Sequence, residues 1–480
     1  MAKSTVRTRM APSPTGYPHM GSAYSVLLDY AWAKKHQGTF VVRIEDTDRE
    51  RFVEDAEGNF FKGLDWLGLA EDESPRRGGP YGPYRQSERL DLYQKYAQEL
   101  VGRDCAYYCF CSPERLAQVR KDQQKKGRPP MYDRHCRELD KGEVQKRLEA
   151  NESYVIRLKV PDDETIIVQD LIRGPVRFES RIVDDQVLIK SDGFPTYHLA
   201  VVVDDHLMEI SHIVRGEEWL SSAPKHVLLY RFFDWPEPVW LHTPTIRNKD
   251  KSKFSKRQGH TQLDWYRNQG FLPEAIINFL ALLGWSHPEE REIFSLDEFI
   301  RLFDLKDISP VGPVFDLEKL KWLNGEYLRG KQPEAIYDLL RSWAKDTKTE
   351  LSKLSDQSFW LKVIPLFQPR VNTLSEIKEM VTFLFEEPIP QKDRFLGNQA
   401  KRVLEVVLAK LEALDHWQGQ RIYEQVKQVF SSQEFPKKEF FGNLYLAVEG
   451  KPAGLPLFES MELLGKETSL SRIKQAIKLL

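Results

Sequence analysis

Residues 7–21 read RTRMAPSPTGYPHMG. A short strand over residues 6–11 runs into a proline- and glycine-rich turn, Pro12-Ser13-Pro14-Thr15-Gly16, and a helical stretch follows from His19 to about Lys35. A second strand, TFVVRI over 39–44, ends in the acidic turn Glu45-Asp46-Thr47-Asp48. Strand, turn, helix, strand is a βαβ unit, so parallel pairing is expected, with a ligand crevice at the strand ends. The helix mouth offers unpaired N–H groups and the positive end of the dipole, which suits an anion such as a triphosphate. His19, expected one turn into the helix, can donate to phosphate oxygens. Gly21 has no side chain, so a purine could lie flat against the backbone there. The competing reading is a loop that caps a helix and carries a solvated histidine, since short patterns recur by accident.

Outward from this unit, 480 residues are enough for several domains with real cores. Hydrophobic residues make 41% and charged residues 30%, which fits a globular protein and excludes a disordered chain. No run approaches the roughly 18 apolar residues of a membrane span. The start, MAKSTVRTRMAPSPTG, has no apolar leader core. With only four cysteines, a reducing, cytoplasmic location is expected. Seventy basic against 72 acidic residues give no global field that announces nucleic acid, though one face could still bind RNA.

From about residue 92 to 193 the pattern changes. All four cysteines fall here, with a basic helix and loop over 114–130 and strands over 154–160 and 164–169. This reads as an insertion. The α/β pattern resumes at 197–203 and 209–214, as the second half of a split parallel sheet. After about residue 251 the periodicity is helical, as over 273–283, and 333–480 carries few strand signals. The expected fold is an α/β Rossmann-type domain (1–92 and 194–250) with an α+β insertion (93–193). A connecting subdomain (251–332) and an all-α C-terminal region (333–480) in two subdomains follow.

A second constellation is KSKFSKRQG, residues 251–259, with four cations in seven residues. Lys253 and Lys256 could neutralise charge developing on a pyrophosphate leaving group. Alone, such a run reads as a solvated basic turn.

Together, PHMG after a strand and KFSKR beyond a split sheet resemble the HIGH and KMSKS signatures of class I aminoacyl-tRNA synthetases. RMAPSPTGYPHMG, RIEDTD (43–48), SDGFPTYHLAVVVDD (191–205), IVRGEEW (213–219) and KFSKRQG resemble, in order, the bacterial-type glutamyl-tRNA synthetase subgroup. The resemblance implies ATP-dependent ligation of L-glutamate to tRNA(Glu) through a glutamyl-adenylate, with release of AMP and pyrophosphate. Charging of tRNA(Gln) with glutamate is a second activity found in that subgroup. It implies His19, Lys253 and Lys256 as catalytic, and His19, Gly21, Glu218, Trp219, Lys253 and Lys256 around ATP, with Mg²⁺. It implies Arg9, Ala11, Ser13, Glu45, Tyr197 and Arg215 around glutamate. Arginine's planar fork suits carboxylates, and Glu45 would receive the α-ammonium. At Val201 some members carry asparagine and others valine. The insertion would bind the acceptor end and the C-terminal helices the anticodon, in a monomer. Trp343 and Trp360 in that region read as core residues. Two other classes compete: a nucleotidylyltransferase acting on a small molecule, and a non-catalytic tRNA-binding relative.

Cys109, Cys111, Tyr132 and Cys136 form C-x-C-x20-Y-x3-C. Three thiolates suit Zn²⁺, and a closed structural site needs a fourth ligand. Relatives place it at the position of Tyr132 or at that of Glu138. One structural Zn²⁺ and a set of buried, reduced thiols are both open readings at this point.

Overall fold

Prolines at 12 and 14 lack the N–H a strand needs, so β1 (Arg7–Met10) stops before them and the chain turns. His19 then caps α1 (Met20–Lys35): its Nδ1 accepts from the Ser22 N–H at 3.1 Å, and Ser22 Oγ accepts from the His19 N–H at 2.9 Å. This is a reciprocal capping box with histidine in the serine's place. β2 (Thr39–Val42) returns parallel to β1, with Arg7 opposite Thr39 and Met10 opposite Val42. The expected βαβ unit is present. A computed structural model describes residues 5–48, 50–252, 254, 261–432 and 434–480.

The helices α2 (Ala56–Leu67) and α3 (Leu90–Gly102) follow. Next come β3 (Ala106–Cys109), α4 (Pro113–Lys125), α5 (Lys141–Glu149) and β4 (Val155–Leu158). The hairpin β5 (Thr165–Asp170) and β6 (Gly174–Glu179) precedes β7 (Val187–Ile189). The strands of this stretch divide between two sheets. β3, β4 and β7 form a small antiparallel sheet, whereas β5 joins a four-stranded sheet.

That sheet has the order β6-β5-β9-β8, where β8 is His212–Gly216 and β9 is Val239–Thr243. β8 and β9 run parallel, and β5 meets β9 in parallel through Asp170 and Trp240. β8 begins beside β1, because the Ser211 N–H donates to the Arg7 carbonyl at 2.9 Å. The carboxyl ends of β1, β2, β8 and β9 therefore open on one crevice, the ligand position for such sheets.

Of the two segments that resume the α/β pattern, only 212–216 is a strand. Residues 197–207 are α6 (Tyr197–Leu207), and α7 (Ala223–Phe232) packs with it. The run Val201-Val202-Val203 favours a strand by propensity, but each of the three is 1% exposed or less. A helix buried on nearly all sides is apolar all round, so the helical period is hidden. One buried cluster joins Val41, Tyr93, Ile156, Val168, Leu199, Leu228 and Trp240 across these layers.

By contacts the chain forms two units, residues 1–265 with 273–317 and residues 266–272 with 318–480. In the second unit, the described residues from 333 onward contain helices and no strand. Val403, Leu404, Val407, Ile422, Phe440, Leu444 and Ile473 lie in its core. Trp343 and Trp360 are buried, each indole N–H donating to a backbone carbonyl, at Asn268 and Lys353. They are core residues, as expected. No helix among the described residues is long and apolar enough to cross a membrane.

Candidate active site

A cavity of about 920 Å³ occupies the crevice. β1 and its turn supply Arg9, Ala11 and Ser13, and the mouth of α1 supplies His19 and Gly21. Glu45 follows β2, Tyr197 opens α6, and Arg215 lies on β8 with Glu218 and Trp219 just after it. All these sequence-expected residues line this one cavity. Lys253 and Lys256 lie outside the described residues. Their neighbours Phe254 and Thr261 line the same cavity. The Phe254 N–H donates to the Ile246 carbonyl at 3.1 Å, and the Met20 N–H donates to the Thr261 carbonyl at 3.0 Å. Phe254 and Thr261 thus reach the same crevice, and Thr261 is bonded to the helix mouth formed by the first signature.

The two pocket arginines are held in opposite ways. Arg9 Nε lies 3.1 Å from Asp205 Oδ1, and both groups are buried. Arg43 is fully buried beside them, with Nη1 2.8 Å from Asp205, Nη2 3.1 Å from Glu45 and Nε 3.5 Å from Asp204. Asp204 also accepts from Arg89, Gln86 and Tyr93. Burial pushes the Asp205 carboxyl up, but Arg9 and Arg43 outweigh it and hold the group below its ordinary value. Buried charges persist only when paired and hydrogen-bonded like this.

Arg215 has no carboxylate partner among the described residues. Its Nε donates to His242 Nε2 at 3.0 Å, and its Nη1 lies 3.1 Å from both Tyr197 Oη and His226 Nδ1. Its Nη2 is buried with no hydrogen-bond partner. A buried cation with one unspent donor fits an anionic ligand group. Glu45, buried in the lining of the same cavity, has its carboxyl pushed up to about 7 by burial, against the pull of Arg43 and Arg9.

His19 is the cap of α1 rather than a residue one turn in. Because Nδ1 accepts from the Ser22 N–H, the proton of the neutral ring sits on Nε2, which is the nitrogen able to donate. A Cβ on Gly21 would lie 3.1 Å from His19 Nδ1, so the space left by the missing side chain is taken first by this imidazole. A Cβ on Gly216 would lie 2.2 Å from Glu218 Oε2, so glycine there lets that carboxylate fold back over the strand end. Trp219 lies against Tyr197, ring centroids 4.3 Å apart, and keeps 38% of its surface open to a ligand. Val201 packs in the core and does not line the cavity.

Residues 5–322 match the family model of tRNA synthetases class I (E and Q), catalytic domain, and residues 333–477 match an anticodon binding domain. A glutamate–tRNA ligase of Marinomonas sp. (strain MWYL1) is 44% identical, the match covering 99% of this chain and 96% of that protein. One from Acidothermus cellulolyticus is 46% identical over 98% and 95%. The chain belongs to the glutamate–tRNA ligase family. A crystal structure of a glutamate tRNA ligase from Elizabethkingia meningosepticum, in complex with its amino acid, shares the fold. Its TM-score is 0.88 at 36% identity, covering 99% of this chain and all of that one.

In this member of the glutamate–tRNA ligase family, the sulfurs of Cys109, Cys111 and Cys136 lie within 4.8 Å of one another. Tyr132 Oη is 3.3 Å from Cys109 Sγ and 3.4 Å from Cys111 Sγ, and Cys111 and Cys136 Sγ are 3.5 Å apart. Tetrahedral zinc–thiolate bonds place sulfurs about 3.8 Å apart, so the donor set fits Zn²⁺. Glu138 is solvent-exposed and pairs with Arg137, away from the sulfurs. Hydrogen bonding with Cys136, and with Tyr132, outweighs burial and holds the Cys109 thiol below its ordinary value.

Residues that sequence reasoning left unassigned also shape this ligase-family site. Lys190, Asp192, Asp48 and Arg51 line the cavity. Asp170, His226 and His242 stand behind Arg215. Asp48 belongs to the acidic turn after β2, whereas His226 sits inside α7, a helix buried over most of its length, and gives no local signal.

Proposed function

We propose that the chain ligates L-glutamate to tRNA(Glu), consuming ATP and releasing AMP and pyrophosphate. The observation that carries this is the pocket's charge pattern: a paired Arg9, an unspent Arg215 donor and Glu45 in one cavity. Glutamate presents two carboxylates and one ammonium, which matches two guanidinium groups and one carboxylate. The near-full-length relatives favour this over a small-molecule nucleotidylyltransferase or a non-catalytic relative.

In the first step a substrate carboxylate oxygen attacks the α-phosphate of ATP and pyrophosphate leaves. In the second, the terminal ribose hydroxyl of tRNA takes the acyl group and AMP leaves. The protein's part is positioning and charge stabilisation. His19 Nε2 donates to the phosphates at the positive end of α1, and Lys253 and Lys256 meet the leaving pyrophosphate. Gly21, Glu218 and Trp219 hold the nucleoside. Arg9, Ala11, Ser13, Tyr197 and Arg215 hold glutamate, and Glu45 takes its ammonium. Mg²⁺ would be held mainly by phosphate oxygens and water, as is usual for this ion, and would neutralise phosphate charge.

We assign the acceptor end to residues 93–193, a connecting role to 251–332 and the anticodon to 333–480, in a cytoplasmic monomer. Cys109, Cys111, Tyr132 and Cys136 hold a structural Zn²⁺. Separate assays with tRNA(Gln) decide whether the same site charges that tRNA with glutamate as well. Labelled ATP tests the central reading. AMP formed only with both glutamate and tRNA supports it, and ADP as the product contradicts it.

A further inference from the structure

Arg215 is surrounded by acceptors that are neutral and individually fixed. Asp170 Oδ2 lies 2.7 Å from His242 Nδ1 and also accepts the His242 backbone N–H at 2.9 Å. Asp170 Oδ1 accepts the N–H groups of Ile172 and Arg173 at 3.1 and 3.0 Å. The carboxylate is therefore anchored on four contacts, and it places the His242 proton on Nδ1. Nε2 is left as an acceptor, aimed at Arg215 Nε. His226 is fixed in the opposite sense. Its Nδ1 accepts from Arg215 Nη1, so its proton sits on Nε2, 3.1 Å from His198 Nδ1.

These groups are shut away from water: His242 is 0% exposed, His226 1% and Asp170 4%. The contrast with Arg9 is chemical. A carboxylate in contact with Arg215, such as Asp205 provides for Arg9, would orient the guanidinium and also take up part of its charge. Imidazole nitrogens orient it and leave the charge for a ligand. The Arg215 guanidinium also lies 5.3 Å from the Trp240 ring centroid, a further wall that carries no charge.

We infer that His242, oriented by Asp170, and His226 are positioning residues that lock Arg215 with its Nη2 edge kept for a substrate carboxylate. The inference rests on the reading that Arg215 receives such a carboxylate. It makes glutamate affinity depend on residues that never touch glutamate.

Steady-state aminoacylation of tRNA(Glu) by the full chain tests it, with KM read separately for glutamate and for ATP. His242→Leu removes one acceptor, and His242→Gln replaces Nε2 with an amide oxygen. The expected result is a KM for glutamate raised about 10- to 100-fold in His242→Leu, the range for one hydrogen bond to a charged group. The KM for ATP stays within about threefold, and His242→Gln recovers most of the loss. His226→Leu and His226→Asn form the equivalent pair at Nδ1 and answer the question if the His242 variants do not fold. An unchanged glutamate KM in a leucine variant, or ATP and glutamate KM rising together, overturns the inference. A wild-type chain that charges no tRNA with glutamate would instead remove the functional reading on which it stands.

Discussion

Arg43 Nη2 lies 3.1 Å from Glu45 Oε1 with both groups buried, and the Glu45 carboxyl is nonetheless pushed up to about 7. Burial is the largest influence, and Arg43 and Arg9 recover only part of it. Arg43 is shared with Asp204 and Asp205, so Glu45 receives a fraction of one cation. An incoming ammonium would supply what is missing.

The first prediction follows from this. Glutamate's ammonium binds the ionised form of Glu45, and a carboxyl with a pKa near 7 loses that form as pH falls. The KM for glutamate should therefore be flat above about pH 8 and rise towards tenfold per unit well below pH 7. Glu45→Gln should raise this KM and remove that part of the pH dependence. A wild-type profile flat from pH 8 to 5.5 would exclude the role.

His19 does two jobs that variants can separate. Its Nδ1 caps α1, and its Nε2 faces the nucleotide in the proposed function. Asparagine can reproduce the cap but not the Nε2 donor. His19→Asn should keep the melting temperature, whereas His19→Ala should lose about 1 kcal/mol of capping. Both should lower kcat by about 10²–10³, the range for one preorganised donor, as should Lys256→Ala. Near-normal turnover in His19→Asn would assign the residue to the cap alone.

Arg43 answers for three acidic groups at once. Arg43→Met strips Glu45 of its ion-pair partner and weakens the pairing of Asp204 and Asp205. Breaking a buried network in this way costs about 3–5 kcal/mol. Urea titration should show the first unit unfolding earlier by that amount, with the C-terminal helices unaffected. A loss below about 1 kcal/mol would mean the acidic pair is satisfied without it.

At the cysteine cluster, metal analysis of untagged protein should give close to one zinc per chain. Cys136→Ser should lose it. Tyr132→Phe should lower occupancy; full occupancy in that variant would remove the phenol from the ligand set. Zinc well below one per chain in the wild type would return the cluster to reduced, buried thiols.

Much of the site was legible because its chemistry lies in short contiguous stretches. PHMG, RIEDTD and RGEEW each bring several lining residues to a strand end or a helix mouth. The βαβ start was legible through Pro12, Pro14 and the alternation around them. The helix over 197–207 was less so, since burial on nearly every side erases the period that marks a helix. His242 and His226 were illegible for another reason. Their partner Arg215 is joined to them only by folding, across α7 and β9. The cap made by His19 Nδ1 was hidden as well, because histidine seldom takes the place of serine or aspartate at a helix start.

The most direct test of the central claim is aminoacylation with labelled glutamate, using separately purified tRNA(Glu) and tRNA(Gln), with glutamine and aspartate as controls. The account predicts ATP-dependent charging of tRNA(Glu) with glutamate and with neither control amino acid; charging of tRNA(Gln) as well would identify a relaxed enzyme. A folded sample that charges neither tRNA with glutamate in the presence of ATP and Mg²⁺ would contradict it.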